Sequence, residues 1–303
     1  MDRRKFLLRS TVAGSTLLLP PAMDTLWSRG LAAGHPDLVM TKGGDPRQAT
    51  RQAVAALGGM DRFVSRGDIV VVKPNIAFDR GPELAATTNP QVLAAVAEMC
   101  LEAGARQVKV FDRTVNDARR CYVQSGIAAA LKPLDVELKY VDDRRFREMR
   151  IGGEALPSWP LYTEAIEADV LINVPIAKHH GLARITMGIK NLMGIMGGNR
   201  SRIHQRLDLA LAEMAGFVKP RLTIIDAIRI LVANGPQGGN LDDVRHPGVI
   251  IAGTDQVAAD SLGATLFEMR GSDLGYVREA VRLGVGEADL DKLEIRRLNL
   301  ESA

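Results

Sequence analysis

The stretch LYTEAIEADVLINVPIAKHHG, residues 161–181, holds the reading on which the fold turns. LYTEAIEA is patterned as a helix, DVLINVPI is a continuous apolar run of strand length, and the chain leaves that run on Lys178, His179 and His180. Helix, buried strand and polar exit recur along the chain. Asp45 and Pro46 supply an N-cap and an N1 proline for the helix RQATRQAVAAL, which stops at Gly58-Gly59 ahead of the strand DIVVVKPN. Asn89-Pro90 opens QVLAAVAEMCLEA, which Gly104 stops before the strand QVKVFD. The helix GIAAALKPL ends ahead of Pro133, followed by the strand VELKYVD and the polar stretch DRRFREMRIGGE. Downstream, SRIHQRLDLALAEMAGFV and QVAADSLGATLFEMR are helical, RLTIIDAI and HPGVIIAGTD are strands, and LEIRRLNL is an edge strand. This alternation predicts a three-layer α/β fold, a largely parallel twisted sheet with helices on both faces.

The N-terminus follows a different pattern. MDRRKFLLRS places Arg3-Arg4 ahead of a short apolar segment and small residues, the layout of a twin-arginine export signal with cleavage expected near Ala32 or Ala33. Pro20-Pro21 interrupts an apolar run already short of the roughly 20 residues a span requires. The expectation is therefore a signal peptide and disordered start over 1–33, a single α/β domain over 34–303, the twin-arginine export machinery as a partner, no stable membrane span after signal removal, and a periplasmic destination. The first 32 residues hold five basic and two acidic side chains, so removing them leaves the two signs equal in number. No basic stripe with interleaved aromatics argues for nucleic acid. Cys100 and Cys121 are the two cysteines, too few for an iron–sulfur cluster, and an oxidising compartment would permit them to pair.

Chemistry gathers just past the buried runs. Lys73 and Asn75 follow IVVV, Asp112 follows VKVF, Lys178 to His180 follow VLINV, Asp226 follows LTII, and Thr254-Asp255 follow VIIAG. In a parallel sheet these carboxyl ends open on one crevice, where ligands bind. Capping of the next helix is the plainer explanation for Asp255, and it also fits Asp226 and Asp112. Lys73 precedes Pro74, which holds it extended at the rim, although a snorkelling surface lysine has the same local sequence. Lys190-Asn191 lies among Gly188, Gly194, Gly197 and Gly198, a backbone able to approach an anion. There is no Walker A loop and no G-x-G-x-x-G after a strand, so nucleotide binding has no specific support. His180, His204 and a carboxylate such as Asp226 or Asp255 could converge on a metal ion, but no metal-ligand spacing makes that specific. His204 precedes Asp208 by one helical turn, a spacing that suits an ion pair.

Taken jointly, VVVKPN (70–75), TTNP (87–90), AKHHG (177–181), IKNLMGIMGG (189–198), IHQRLDLAL (203–211), IIDAI (224–228), NGPQGG (234–239) and GTDQVAADSLG (253–263) resemble the proteins carrying domain of unknown function 362 (DUF362). The resemblance spans roughly residues 67 to 268. The family pattern usually reads Lys-Thr-His at the lysine–histidine element, so His180 matches its histidine and His179 stands in the threonine position. Some relatives add a ferredoxin-like segment with cysteine-ligated clusters; this chain lacks those cysteines. The resemblance supplies candidate positions and no reaction.

The residues thus point to an exported enzyme acting on a small anionic substrate, a carboxylate or phosphate ester. Lys73, Asn75, Lys190, Asn191 and Asp255 are the candidate substrate-binding residues, and Lys178, His180 and Asp226 the candidate catalytic ones. No metal ligands are assigned; metal assistance stays open and the cofactor unknown. A periplasmic solute-binding protein would use the same crevice without turnover, and a structural protein would use these residues as caps and ion pairs.

Overall fold

In the computed structural model, which describes residues 34–301, the alternation closes into one large sheet. The strands are β1 (Leu38–Lys42), β2 (Ile69–Pro74), β3 (Gln107–Val110), β4 (Glu137–Leu138), β5 (Phe146–Arg150), β6 (Ser158–Tyr162), β7 (Val170–Val174), β8 (Ile176–His180), β9 (Arg184–Thr186), β10 (Leu222–Leu231), β11 (Val244–Arg245), β12 (Val249–Gly253) and β13 (Ile295–Asn299). The helices are α1 (Pro46–Ala56), α2 (Pro90–Glu102), α3 (Ala118–Gln124), α4 (Ile127–Leu131), α5 (Thr163–Ile166), α6 (Gly188–Asn191), α7 (Leu207–Phe217), α8 (Gln256–Ala264) and α9 (Gly275–Arg282). The strand order is β13-β1-β12-β10-β7-β2-β3-β4, and β10, β7, β2, β3 and β4 run parallel. LEIRRLNL does form the edge strand, β13, beside β1. The twin-arginine segment, residues 1–33, lies outside the described residues.

Side-chain alternation sorts the core into two layers. Val70 and Val72 pack with α1, α2 and α4, whereas Val71 packs with α7, α8 and α9. Helix starts follow the sequence signals. Asp45 accepts from the Arg47 and Gln48 N–H groups at the head of α1, and Asn89 accepts from Gln91 N–H at the head of α2. Cys100 and Cys121 are both free and buried, and burial pushes their thiols up to about 12 and about 11. No helix among the described residues is long and apolar enough to cross a membrane.

Three segments depart from the sequence reading. Leu161 and Tyr162 belong to β6, which pairs with β5 from the polar stretch, and the helix shrinks to the single turn α5. In β6, Trp159 and Leu161 turn inward while Ser158 and Pro160 face outward, a period-two pattern too short to stand out beside a helical one. The segment before α7 is a 3-10 turn over Arg200–Arg206, so His204 is exposed and makes no ion pair with Asp208. Beyond Pro175 the chain does not leave the sheet. It continues as β8, parallel to β10 and antiparallel to β9, so AKHH is strand rather than exit loop and Gly181 begins the turn.

Two carboxylates expected at the crevice stand elsewhere. β12 is antiparallel to both β1 and β10, so its carboxyl end opens on the opposite rim of the sheet. There Asp255 caps α8, accepting from Val257 N–H at 2.7 Å and Ala258 N–H at 3.0 Å, and also from Glu287 N–H at 2.8 Å. Asp226 is fully buried at the head of α2, accepting from Asn89 N–H at 2.7 Å and from Ile228 N–H at 3.1 Å. Burial raises its carboxyl to about 6, against the opposing effect of those two N–H groups. Replacing Asp255 by Ala is expected to cost about 1–2 kcal/mol in denaturant unfolding, with anion affinity at the opposite rim unchanged by calorimetry.

Candidate functional site

The site is founded on a polar row across the middle of the sheet. Lys73 of β2 lies in register with Asn173 of β7, and Asn173 with Thr223 of β10. All three are fully buried, so their polar groups need partners. Helix α6 supplies partners for Lys73 and Asn173, while the Thr223 hydroxyl has no protein partner. Asn173 Nδ2 donates to Gly188 O at 2.8 Å, Asn191 Nδ2 donates to Asn173 Oδ1 at 2.9 Å, and Asn191 Oδ1 accepts from Lys73 Nζ at 3.1 Å. Asp260 of α8 holds the other end of α6, accepting from Gly188 N–H at 2.6 Å and Ile189 N–H at 3.0 Å. Residue 194 must be glycine, because a Cβ there would collide with Asp112 Oδ1 and the end of Lys73.

Lys73 directs its donors into the protein. Its ammonium lies 2.7 Å from Asp112 Oδ1 and donates to Pro74 O at 2.6 Å, besides Asn191. Asp112 Oδ2 in turn accepts from Ile76 N–H at 2.7 Å. Burial drives the Lys73 ammonium below its ordinary range and Asp112 opposes that fall. With its donors so engaged, Lys73 positions the site and does not reach out to a ligand.

Strand alternation sends Lys178 and His180 to the same pocket, where Lys178 faces Thr186 of β9 and His180 is paired with Arg184. Lys178 Nζ donates to Asn75 Oδ1 at 3.1 Å and to Ala86 O, and stands 4.8 Å from the centre of the Phe78 ring. Burial, then neighbouring Lys190, lowers it to about 7. His180 Nδ1 accepts from Leu182 N–H at 3.1 Å and Ala183 N–H at 3.2 Å, which places the ring proton on Nε2. Burial and the two lysines push the imidazole down to about 3, so it is neutral near pH 7 and offers a fixed donor. Lys190 is the least committed cation: its polar neighbour is Met193 Sδ at 3.6 Å, and burial followed by Arg200 lowers it to about 8.

The pocket has a volume of about 100 Å³ and gathers Lys73, Asn75, Lys178, His180, Lys190 and Asn191. Asp226 and Asp255 are not part of its wall. Sequence reasoning missed Arg113, Arg200 and Thr186. Arg113 directly follows Asp112 at the end of β3, where the strand-end rule could have found it; Arg200, in the loop before α7, carries no local signal. Arg200 donates to Arg113 O, Met193 O and Thr114 O. Thr186 is 4% exposed and its hydroxyl has no protein partner. Four cationic side chains, Lys178, Lys190, Arg113 and Arg200, thus border a small space with Asp112 as the carboxylate in its wall, and Asp112 is already paired with Lys73. Such a site suits an anion. Among the described residues no group of three or more His, Cys, Asp or Glu is placed to hold a metal ion.

Residues 70–265, more than half of the chain, match the family described as Domain of unknown function (DUF362), and the chain belongs to it. A thylakoid-associated protein of Synechocystis sp. is 30% identical over 243 residues, covering 78% of this chain and 74% of that protein. Among solved structures, the lactate racemase apoprotein of Thermoanaerobacterium thermosaccharolyticum aligns at 13% identity with a TM-score of 0.47, over 78% of this chain and 57% of its own. A Thermotoga maritima protein aligns at 12% with a TM-score of 0.47, over 75% of this chain and 60% of its own. The chain therefore spans less than two thirds of either solved structure.

The support of α6 by Asp260 has a pH signature. Burial raises the Asp260 carboxyl to about 7 from an ordinary value of 3.8, with the two α6 N–H groups opposing. Between those values the folded state holds a proton that the unfolded state has lost. Its contribution to stability is thus full below the lower value and is lost as pH rises through the upper one. Asp260→Asn, which keeps an acceptor but cannot ionise, is expected to flatten the fall in melting temperature across that window relative to the parent protein.

Proposed function

We propose that this member of the DUF362 family is an enzyme that binds a small anion, a carboxylate or phosphate ester, in the strand-end pocket and moves a proton with Lys178. The observation that carries the reading is the crowding of cations around an unpartnered Thr186 hydroxyl, with Lys178 lowered to about 7. Lys190, the His180 Nε2–H and Thr186 meet the anion, and Lys73, Asn75 and Asn191 hold the frame. Lys178 accepts a proton in its neutral form, since a general base works best with a pKa near the operating pH. Asp226 and Asp255 have no part in this reading. The paired arginines at the N-terminus favour an exported protein, and the thylakoid association of the Synechocystis relative is compatible with a compartment outside the cytoplasm.

Proton NMR in D2O on a panel of small carboxylates and phosphate monoesters tests the reading, because it registers both solvent-deuterium incorporation and hydrolysis. kcat/KM is expected to rise as pH increases through about 7, the value of the free site, and turnover to vanish in Lys178→Met, which still binds. Lys190→Gln is expected to weaken binding by about tenfold or more, the loss of one charge-assisted hydrogen bond. Binding without turnover at any pH would replace the enzyme by a solute-binding protein, and absence of binding would refute both.

A further inference from the structure

The polar pocket is too small for most whole substrates, and a second cavity has one lining residue in common with it. A cleft of about 830 Å³ is walled by Ile185, Ile230, Val232, Leu266, Phe267 and Met269, with exposed Arg184, Arg245 and His246 also lining it. That volume lies in the range of roughly 300–1,000 Å³ found for sites that hold organic ligands, which are mostly apolar with a few placed polar groups. The two cavities share one side chain, His180. The β8–β9 hairpin explains how. On β9, Thr186 lines the polar pocket and the adjacent Ile185 lines the cleft, so the hairpin is a partition with His180 near its tip bordering both spaces.

Resting on the anion-binding reading, we propose that the substrate is an amphiphilic carboxylate. Its anionic head occupies the polar pocket, and its apolar body passes the hairpin tip into the cleft. The His180 ring, pinned through Nδ1 by the Leu182 and Ala183 N–H groups, stands at the junction with Nε2–H available to the head. Arg184 and Arg245, two cations against the one carboxylate Glu268 in the cleft lining, favour approach of an anion over a neutral lipid. The apolar wall supplies the affinity that a small hydrated head cannot.

The test is calorimetric titration of the full chain at near-neutral pH with straight-chain carboxylates from acetate to decanoate, each below its micelle concentration. Affinity is expected to rise about fourfold per added methylene until the cleft is filled. Phe267→Ser, on a half-buried turn, should weaken decanoate while leaving acetate unchanged, and Lys190→Gln should weaken both by the same factor. Val232→Ser serves as a second cleft variant should Phe267→Ser lower the melting temperature. A flat series with acetate bound overturns the amphiphile and leaves the small-anion enzyme standing. Decanoate binding indifferent to Lys190→Gln, or to both cleft variants, also overturns it. If neither acetate nor decanoate binds, the anion-binding reading falls as well.

Discussion

An ammonium buried at the end of a central strand organises this protein. The Lys73 and Asp112 side chains are 1% and 2% exposed, and two charges taken that far out of water cost several kcal/mol each unless their geometry and remaining hydrogen bonds are well satisfied. Satisfying them dictates what surrounds them. Asn191 must lie over β2 to accept from Lys73, which fixes α6; the turn that follows α6 must be bare at residue 194, which explains a glycine there; and Asp260 must secure the start of α6. Lys190 reaches the pocket because its sequence neighbour is needed one position away.

The same burial sets the electrostatics of the open space. Desolvation is the largest effect on Lys73, Lys178 and Lys190, and the mutual repulsion of cations adds to it for Lys178. An anion entering the pocket reverses that second effect and favours the charged lysines, so ligand binding and proton uptake are linked. His180 feels the same cations, but it is pushed so far down that it stays neutral near pH 7. Its two backbone donors commit Nδ1, which leaves Nε2–H free to donate where its sequence position had suggested a proton carrier.

Much of the site was legible because Lys73, Asn75, Lys178 and His180 follow apolar runs, which a sequence displays best, while Lys190 and Asn191 stood out among glycines. Lys73, Asn75, Lys178, His180, Lys190 and Asn191 converge as their positions implied. What fails is information that is not local. The direction of β12 depends on its partners, and its reversal carries Asp255 to the other rim. The face taken by Asp226 depends on strand parity, and it serves the head of α2. Thr186 and Arg200 enter the pocket through a hairpin and a loop whose course only tertiary packing decides. The β5–β6 pair was hidden for a related reason, since the four alternating residues Ser158 to Leu161 of β6 are too few to outweigh a neighbouring helical pattern.

The continuation of β7 into β8 gives the doubled histidine a meaning that composition could not. Successive side chains of a strand leave on opposite sides, so His179 turns from the polar pocket and accepts from Gly235 N–H at 3.1 Å, while His180 borders the polar space. The segment between Pro175 and Gly181 therefore has a reading frame. Loss of one residue would exchange the two imidazoles and turn Lys178 out of the pocket, whereas loss of two would shift the segment but keep its parity. Along β8 the site therefore depends on chain length as much as on residue type.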